Sequence, residues 1–295
     1  MKIQFLNGGL ANQVFQYIFV RYYELSRPGE IMYMDDSYFA LHTVHNGYEL
    51  EKVFGLKPHM LSEYFDEESW NFILEEKRRG KSVPAILCEN GMQTCMIVEA
   101  GNSYEKFNPF EGQTFPIPGN SFYPEIIDYP GNVYYHGYWI NQEWFQQYKN
   151  IFLEELQFVD TSDKQANVYY EQIRQTQSVS IHIRRGDYVS LGWAYSIDNY
   201  KCSVEQFLKN VPGKWNLFVF SDDIDWCREH SVEMGFDLFA SVAFVEGNVQ
   251  GKNYLDLWLM SNCKGMIMSN SAFCYLAALL NTNLQYVYNP TKRRI

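Results

Sequence analysis

The feature that most restricts the fold is a regular alternation of strand-like and helix-like runs. "NVYYHGYW" (132–139), "VSIHIRR" (179–185), "WNLFVFSDD" (215–223), "KGMIMSN" (264–270) and "LQYVYN" (284–289) read as strands. Between them, "QEWFQQYKNIFLEEL" (142–156), "SDKQANVYYEQIRQT" (162–176), "IDWCREHSVEMG" (224–235) and "SAFCYLAALLN" (271–281) read as helices. Alternation of this kind implies an α/β fold with a parallel sheet covered on both faces. The N-terminus opens on the same unit. The strand "KIQFL" (2–6) and the glycine loop "NGGLANQ" (7–13) lead into "NQVFQYIFVRYYEL" (12–25), where Val14, Phe15, Ile18, Phe19 and Tyr22 recur at helical spacing. "EIMYMDD" (30–36) is expected to be a strand and "EESWNFILEEKRRG" (67–80) a helix, whereas 101–131, with several Pro and Gly, reads as long loops. A boundary near residue 155 gives expected domains 1–155 and 156–295.

The formal charge is −11, which argues against a general nucleic-acid binder, so any anion must meet a locally positive site. The 23 Tyr and 21 Phe are read first as core, with a sugar-binding surface as the alternative. Cys88, Cys95, Cys202, Cys227, Cys263 and Cys274 include no CxxC pair and are read as reduced thiols, with no zinc site. No apolar run reaches 18 residues and the chain starts on a strand, so neither a signal peptide nor a membrane span is expected. A cytoplasmic protein with at most peripheral membrane association follows as the expectation.

Four stretches carry candidate chemistry. In "SIHIRRGDYV" (180–189), side chains alternate, so Ser180, His182 and Arg184 share one face and Val179, Ile181, Ile183 and Arg185 the other. Ligands of open α/β sheets bind beyond the carboxyl ends of the strands, where both arginines fall. A guanidinium grips phosphate with a planar fork of donors. The competing reading is an Arg–Asp pair closing a loop, such as Arg185 with Asp187. The glycine loop with Gly9 could bring backbone N–H groups towards an anion, although Asn12 could also be a simple helix cap. Gln13 and Gln16 have no evident structural need. In "FVFSDDID" (218–225), Asp222 ends a strand, and Asp223 and Asp225 either form a metal-binding D-x-D pair or are helix-start acids. Ser269, Asn270 and Ser271 precede an apolar helix and make a second anion seat, or a helix cap.

Together these stretches resemble the inverting α-1,2-fucosyltransferases of glycosyltransferase family 11. The matching segments are "GGLANQVFQY" (8–17), "GYWINQEWF" (137–145), His182, Arg184, Arg185, Gly186, Asp187 and Tyr188 of the H-x-R-R-G-D-Y motif, "FVFSDDIDW" (218–226) and "DLWLMSNCKGMIMSNSAF" (256–273). Ala11 departs from the family's usual glycine, and Ala272, Cys274, Tyr275 and Leu276 depart from its S-S-F-S-W-W stretch. The resemblance implies a GT-B-like fold, two Rossmann-type domains facing each other across a cleft, with the donor on the C-terminal half and the acceptor on the N-terminal half. It implies transfer of fucose from GDP-L-fucose to a galactose-terminated glycan, with no cofactor and no essential metal. Arg184 is then the phosphate clamp, Asp187 the candidate base or the partner of an arginine, and Asn12 a fucose or phosphate contact. Ser269, Asn270 and Ser271 cradle the diphosphate, and His182 with Asp222 or Asp256 contacts guanosine. A metal-dependent glycosyltransferase and a non-catalytic glycan binder are the alternatives.

Overall fold

The computed structural model describes residues 1–44, 46–100, 110–248 and 251–290. The chain divides into two compact units, Met1–Gln157 and Phe158–Ile295. Among the described residues each contains one five-stranded sheet, and the strand pairings are all parallel.

The first unit holds β1 (Lys2–Phe5), β2 (Met32–Asp35), β3 (Thr94–Glu99), β4 (Thr114–Ile117) and β5 (Asn132–His136), in spatial order β2-β1-β5-β3-β4. Successive side chains of β1 and β5 point to opposite faces. Ile3, Phe5 and Tyr134 pack with Ile73 of the helix Glu67–Arg78 and with Val83, Ile86 and Leu87 of the helix Val83–Glu89. Tyr135 faces the other way and meets Phe19 of the helix Leu10–Ser26, which also stacks on Trp139 at 4.5 Å. The largest fully buried side chains are all rings, so much of the aromatic excess is core.

Two expectations are corrected here. Within the stretch read as long loops, Thr114–Ile117 is edge strand β4 and Pro124–Asp128 a 3-10 turn, while 101–109 lies outside the described residues. Pro116 disguises the strand. An edge position tolerates its missing N–H. Gln13 and Gln16 prove structural. Gln13 bonds the carbonyls of Gly8 and Gly47 and the amide of Glu49, each at 2.9 Å, and Gln16 bonds the Asn7 side chain at 2.7 Å.

The G-Y-W stretch is also a structural corner. The Glu99 carboxylate accepts the amides of Tyr138 (2.8 Å), Trp139 (3.3 Å) and Asn120 (2.9 Å). Trp139 sits at φ +56°, a left-handed conformation that a bulky residue holds only when its surroundings impose it. Its indole N–H supplies part of that constraint by bonding Gln4 Oε1 at 2.7 Å. Gly137 is required by close approach, since a Cβ there would lie 2.8 Å from the Glu99 Cβ.

The second unit holds β6 (Ser178–Ile183), β7 (Asn216–Ser221), β8 (Ser241–Phe244), β9 (Gly265–Ile267) and β10 (Tyr286–Tyr288), in order β10-β9-β6-β7-β8. The two faces of β6 separate as its alternation predicts. Val179, Ile181 and Ile183 join Tyr200, Val204 and Phe207 of the helix Ile197–Asn210 in one core. His182 faces Phe273 of the helix Ala272–Leu280, ring centroids 5.7 Å apart. Because the strands are parallel, the residues following β6, β7, β8 and β9 all emerge at one sheet edge, where the candidate residues concentrate. No described helix is long and apolar enough to cross a membrane. All six cysteines are free thiols.

Candidate active site

β6 ends at Ile183, and the next two residues send their guanidiniums to different partners. Arg184 bonds Asp187 Oδ1 through Nη2 at 2.7 Å and meets Asp222 Oδ2 through Nη1 at 2.9 Å. Arg185 meets Asp223 Oδ2 through Nε at 3.0 Å and lies flat over Trp226, 3.7 Å from the ring centre. The expected pairing of Arg185 with Asp187 is therefore corrected: Asp187 belongs to Arg184.

Asp222 fastens the turn. Its Oδ2 holds Arg184, and its Oδ1 accepts the amide of Arg185 at 2.9 Å. Gly186 is required by the same contact, because a Cβ there would stand 2.6 Å from Asp222 Oδ2. A Gly186→Ala variant should push Asp222 off Arg184. Its expected outcome is a tenfold or larger drop in kcat/KM with little change in melting temperature, checked by steady-state kinetics beside thermal denaturation.

Asp223 caps the helix Ile224–Glu229 by accepting the Trp226 amide at 3.3 Å, besides binding Arg185. Asp225 lies in the first turn of the same helix, where an acid favours the helix dipole. Among the described residues no three His, Cys, Asp or Glu side chains gather as metal ligands would. Two guanidiniums meet the three carboxylates of Asp187, Asp222 and Asp223, so what this network can offer an anion is directed N–H donors. Arg184 supplies such donors: a guanidinium carries five N–H groups, two are spent on carboxylates, and the side chain is 33% exposed.

The adjoining wall is built from β9. Ser271 caps the helix Ala272–Leu280 by accepting the Phe273 amide at 3.2 Å, so the capping role falls to Ser271 and not to Asn270. The Ser269 hydroxyl lies 3.0 Å from His182 Nδ1 and accepts the Ser271 amide at 3.3 Å. Burial, reinforced by Arg184, pulls the His182 pKa down to about 3, so the ring is neutral at physiological pH. The Asn270 amide donates to the Trp193 carbonyl at 2.9 Å and so ties the loop after Asp187 to the end of β9.

Asp256 belongs to a separate polar pair. It lies in the first turn of the helix Tyr254–Met260 and accepts from Asn248 Nδ2 at 2.6 Å. Burial raises its pKa to about 7, against the opposing effect of the Asn248 hydrogen bond.

Gly9 and Asn12 lie in the first unit. The helix starts at Leu10 with Gly9 as its cap, so the expected capping role of Asn12 is corrected: Asn12 sits inside the first turn, with its amide against Gly8. The structure thus brings Arg184, Arg185, Asp187 and Asp222 into one network and links His182, Ser269 and Ser271 into another. Trp226, Asn248 and Trp193 are the neighbours that sequence reasoning did not assign to the site, and of these only Trp226, the aromatic after the S-D-D run, carried a sequence signal. The sequence singles out Asp223, and its helix-start role holds, with Arg185 as a further partner.

The glycosyl transferase family 11 model matches residues 108–292. The alpha-1,2-colitosyltransferase of Escherichia coli is 31% identical over 296 residues, covering 97% of this chain and 90% of that protein. The O-antigen biosynthesis glycosyltransferase WbnK of Escherichia coli is 32% identical over 111 residues, 36% of this chain and 35% of that one. The fucosyltransferase NodZ from Bradyrhizobium superposes with a TM-score of 0.52 at 12% identity, covering 95% of this chain and 93% of that one. NodZ alpha-1,6-fucosyltransferase co-crystallized with GDP gives the same score and identity over 95% and 92%. These two likenesses bear on fold alone and agree with a GT-B-like architecture of two parallel-sheet units. A family model spanning more than half of the sequence, together with a relative aligned over nearly all of it, establishes that the chain belongs to glycosyltransferase family 11.

Proposed function

We propose that the chain transfers L-fucose from GDP-β-L-fucose to the 2-hydroxyl of a terminal β-galactoside, with inversion, to give an α-1,2 linkage. The observation that carries this reading is Arg184, held by Asp187 and Asp222 at the carboxyl edge of a parallel sheet with N–H donors to spare. As the glycosyl bond breaks, its electron pair leaves with GDP and negative charge grows on the β-phosphate. A guanidinium already fixed in place stabilises that charge without reorganising. The acceptor oxygen attacks the anomeric carbon from the opposite side and gives its proton to Asp187, which also orients Arg184. Arg185, Ser269, Asn270 and Ser271 shape the seat of the diphosphate, and Asp256 accepts from the guanine edge. His182, neutral and bonded to Ser269, positions that hydroxyl and lines the guanosine side. Gly9 and Asn12 are assigned a donor contact on their match to the family's opening motif alone. No metal or cofactor is required, because Arg184 takes the part that a divalent ion plays elsewhere. The C-terminal domain (156–295) binds the donor, and the N-terminal domain (1–155) forms the larger share of the acceptor site.

A second reading keeps the mechanism and changes the sugar. The relative aligned over nearly all of the chain is a colitosyltransferase, which favours colitose as an alternative donor sugar. Turnover of GDP-fucose and GDP-colitose on a panel of galactosides, in excess EDTA, tests both. Release of GDP and glycosylated product from GDP-fucose is expected. Strong preference for GDP-colitose would replace the donor, and dependence on added metal would remove the proposed role of Arg184.

A further inference from the structure

The loop that follows the arginines exposes apolar surface beside a polar site. Val189, Leu191 and Trp193 are all exposed, Trp193 by 58%, whereas Trp139, Trp144 and Trp215 are fully buried. An exposed indole normally belongs to a flexible tip, yet this one is fastened on several sides. The amides of Trp193 and Ala194 donate to the Tyr188 carbonyl at 2.8 and 3.1 Å. Asn270 Nδ2 holds the Trp193 carbonyl at 2.9 Å, and the Ser190 hydroxyl bonds the Asp187 carbonyl at 2.9 Å. The Tyr188 and Trp193 rings meet edge to face with centroids 5.6 Å apart, and the Arg184 guanidinium lies 5.6 Å from the Tyr188 ring centre. Trp193 thus presents an exposed indole from a backbone held at both its amide and its carbonyl, and the half-buried Tyr188 ring links it to the arginine that is proposed to hold the leaving group.

The geometry points to a sugar-stacking subsite formed by Tyr188 and Trp193, which takes the apolar face of a pyranose ring of the acceptor. One face of a galactopyranose is lined by C–H groups, weakly positive and apolar, and complements the negative face of an indole. Fixing the aromatic rings before binding removes the ordering cost that a mobile loop would incur. The acceptor side is favoured over the donor side by exposure. A donor sugar held between phosphate and nucleophile needs an enclosed site, whereas an incoming glycan approaches from solvent, where Trp193 stands. The identity of this acceptor as a galactoside rests on the reaction proposed above; the stacking surface does not.

The test is steady-state kinetics of the full chain with its donor and a β-galactoside, for wild type, Trp193→Ala and Trp193→Phe. Trp193→Ala is expected to raise the acceptor KM tenfold or more, with donor KM within twofold and melting temperature unchanged. Trp193→Phe, which keeps a ring, should recover most of the loss. An unchanged acceptor KM, or an equal rise in donor KM, would overturn the assignment. If wild type transfers nothing to any galactoside, the proposed reaction fails, and the subsite is then read by titrating lactose and neutral galactose oligosaccharides into the GDP-loaded protein. Binding lost in Trp193→Ala supports the subsite; no binding to wild type, or equal binding to both, refutes it.

Discussion

Arg184→Ala is expected to lower kcat by a hundredfold to a thousandfold without unfolding the protein. Losing one preorganised donor to a developing oxyanion typically raises the barrier by roughly 3–4 kcal/mol. Two local features push the effect towards the larger end. Asp187 and Asp222 both lose their cationic partner, leaving carboxylates beside a phosphate that is gaining charge. Arg185 does not take its place, because its guanidinium is turned to Asp223, lies flat over Trp226 and is less exposed than that of Arg184. Arg184→Lys restores the charge but not the fork, and lysine reaches one carboxylate better than two, so its rate should fall between the two. Since the side chain is partly exposed at a strand end, the melting temperature should move by only a few degrees. Near-normal turnover in Arg184→Ala would remove the phosphate clamp.

Asp256→Asn is expected to weaken GDP binding and to stabilise the unliganded fold at alkaline pH. As acceptor for the guanine N–H groups, a carboxylate contributes hydrogen bonds to a charged partner, worth roughly 1.5–3 kcal/mol, so affinity should drop about tenfold to a hundredfold. The pH dependence follows from its pKa of about 7, raised by burial. The ionised form of Asp256, proposed to accept from guanine, is the minority below pH 7, so wild-type affinity for GDP should fall as pH drops through that value, whereas Asp256→Asn should lack this dependence. Stability runs in the opposite sense. In the unfolded chain the group titrates near about 3.9. Ionisation is disfavoured in the fold, so the stability present below the unfolded pKa is lost as pH rises through the folded one. The uncharged asparagine escapes that loss. At pH 8 the variant should melt higher than wild type, with the difference shrinking towards pH 4. Calorimetric titration with GDP and thermal melts across pH measure both effects. Unchanged GDP affinity would exclude Asp256 from the guanine site.

Much of the second unit was legible because its strands are buried and bounded by clear helix starts. The alternation in "SIHIRR" separated Val179, Ile181 and Ile183 from His182 and located the arginines at the ligand edge. The partners of those arginines were not legible. Asp222 and Asp223 are adjacent in sequence, yet one serves Arg184 and the other Arg185, a division set by how β7 lies beside β6. The first unit hid more. β4 carries Pro116 and is half-exposed, so neither a hydrophobic run nor clean alternation marks it. Gln13 and Gln16 looked like ligand groups because their partners, backbone atoms near Gly8 and Gly47 and the Asn7 side chain, lie up to 36 residues away. Trp193 gave no signal either, since an exposed indole and a buried one are the same letter in a sequence.

The proposed reaction is defined by the bond it makes, and that bond is read from the NMR spectrum of the product formed from GDP-β-L-fucose and a β-galactoside. The expected result is a small anomeric coupling marking an α-fucoside, with a long-range correlation from fucosyl H1 to galactosyl C2. A β-linked fucoside, attachment at any other hydroxyl, or release of fucose without transfer would contradict it.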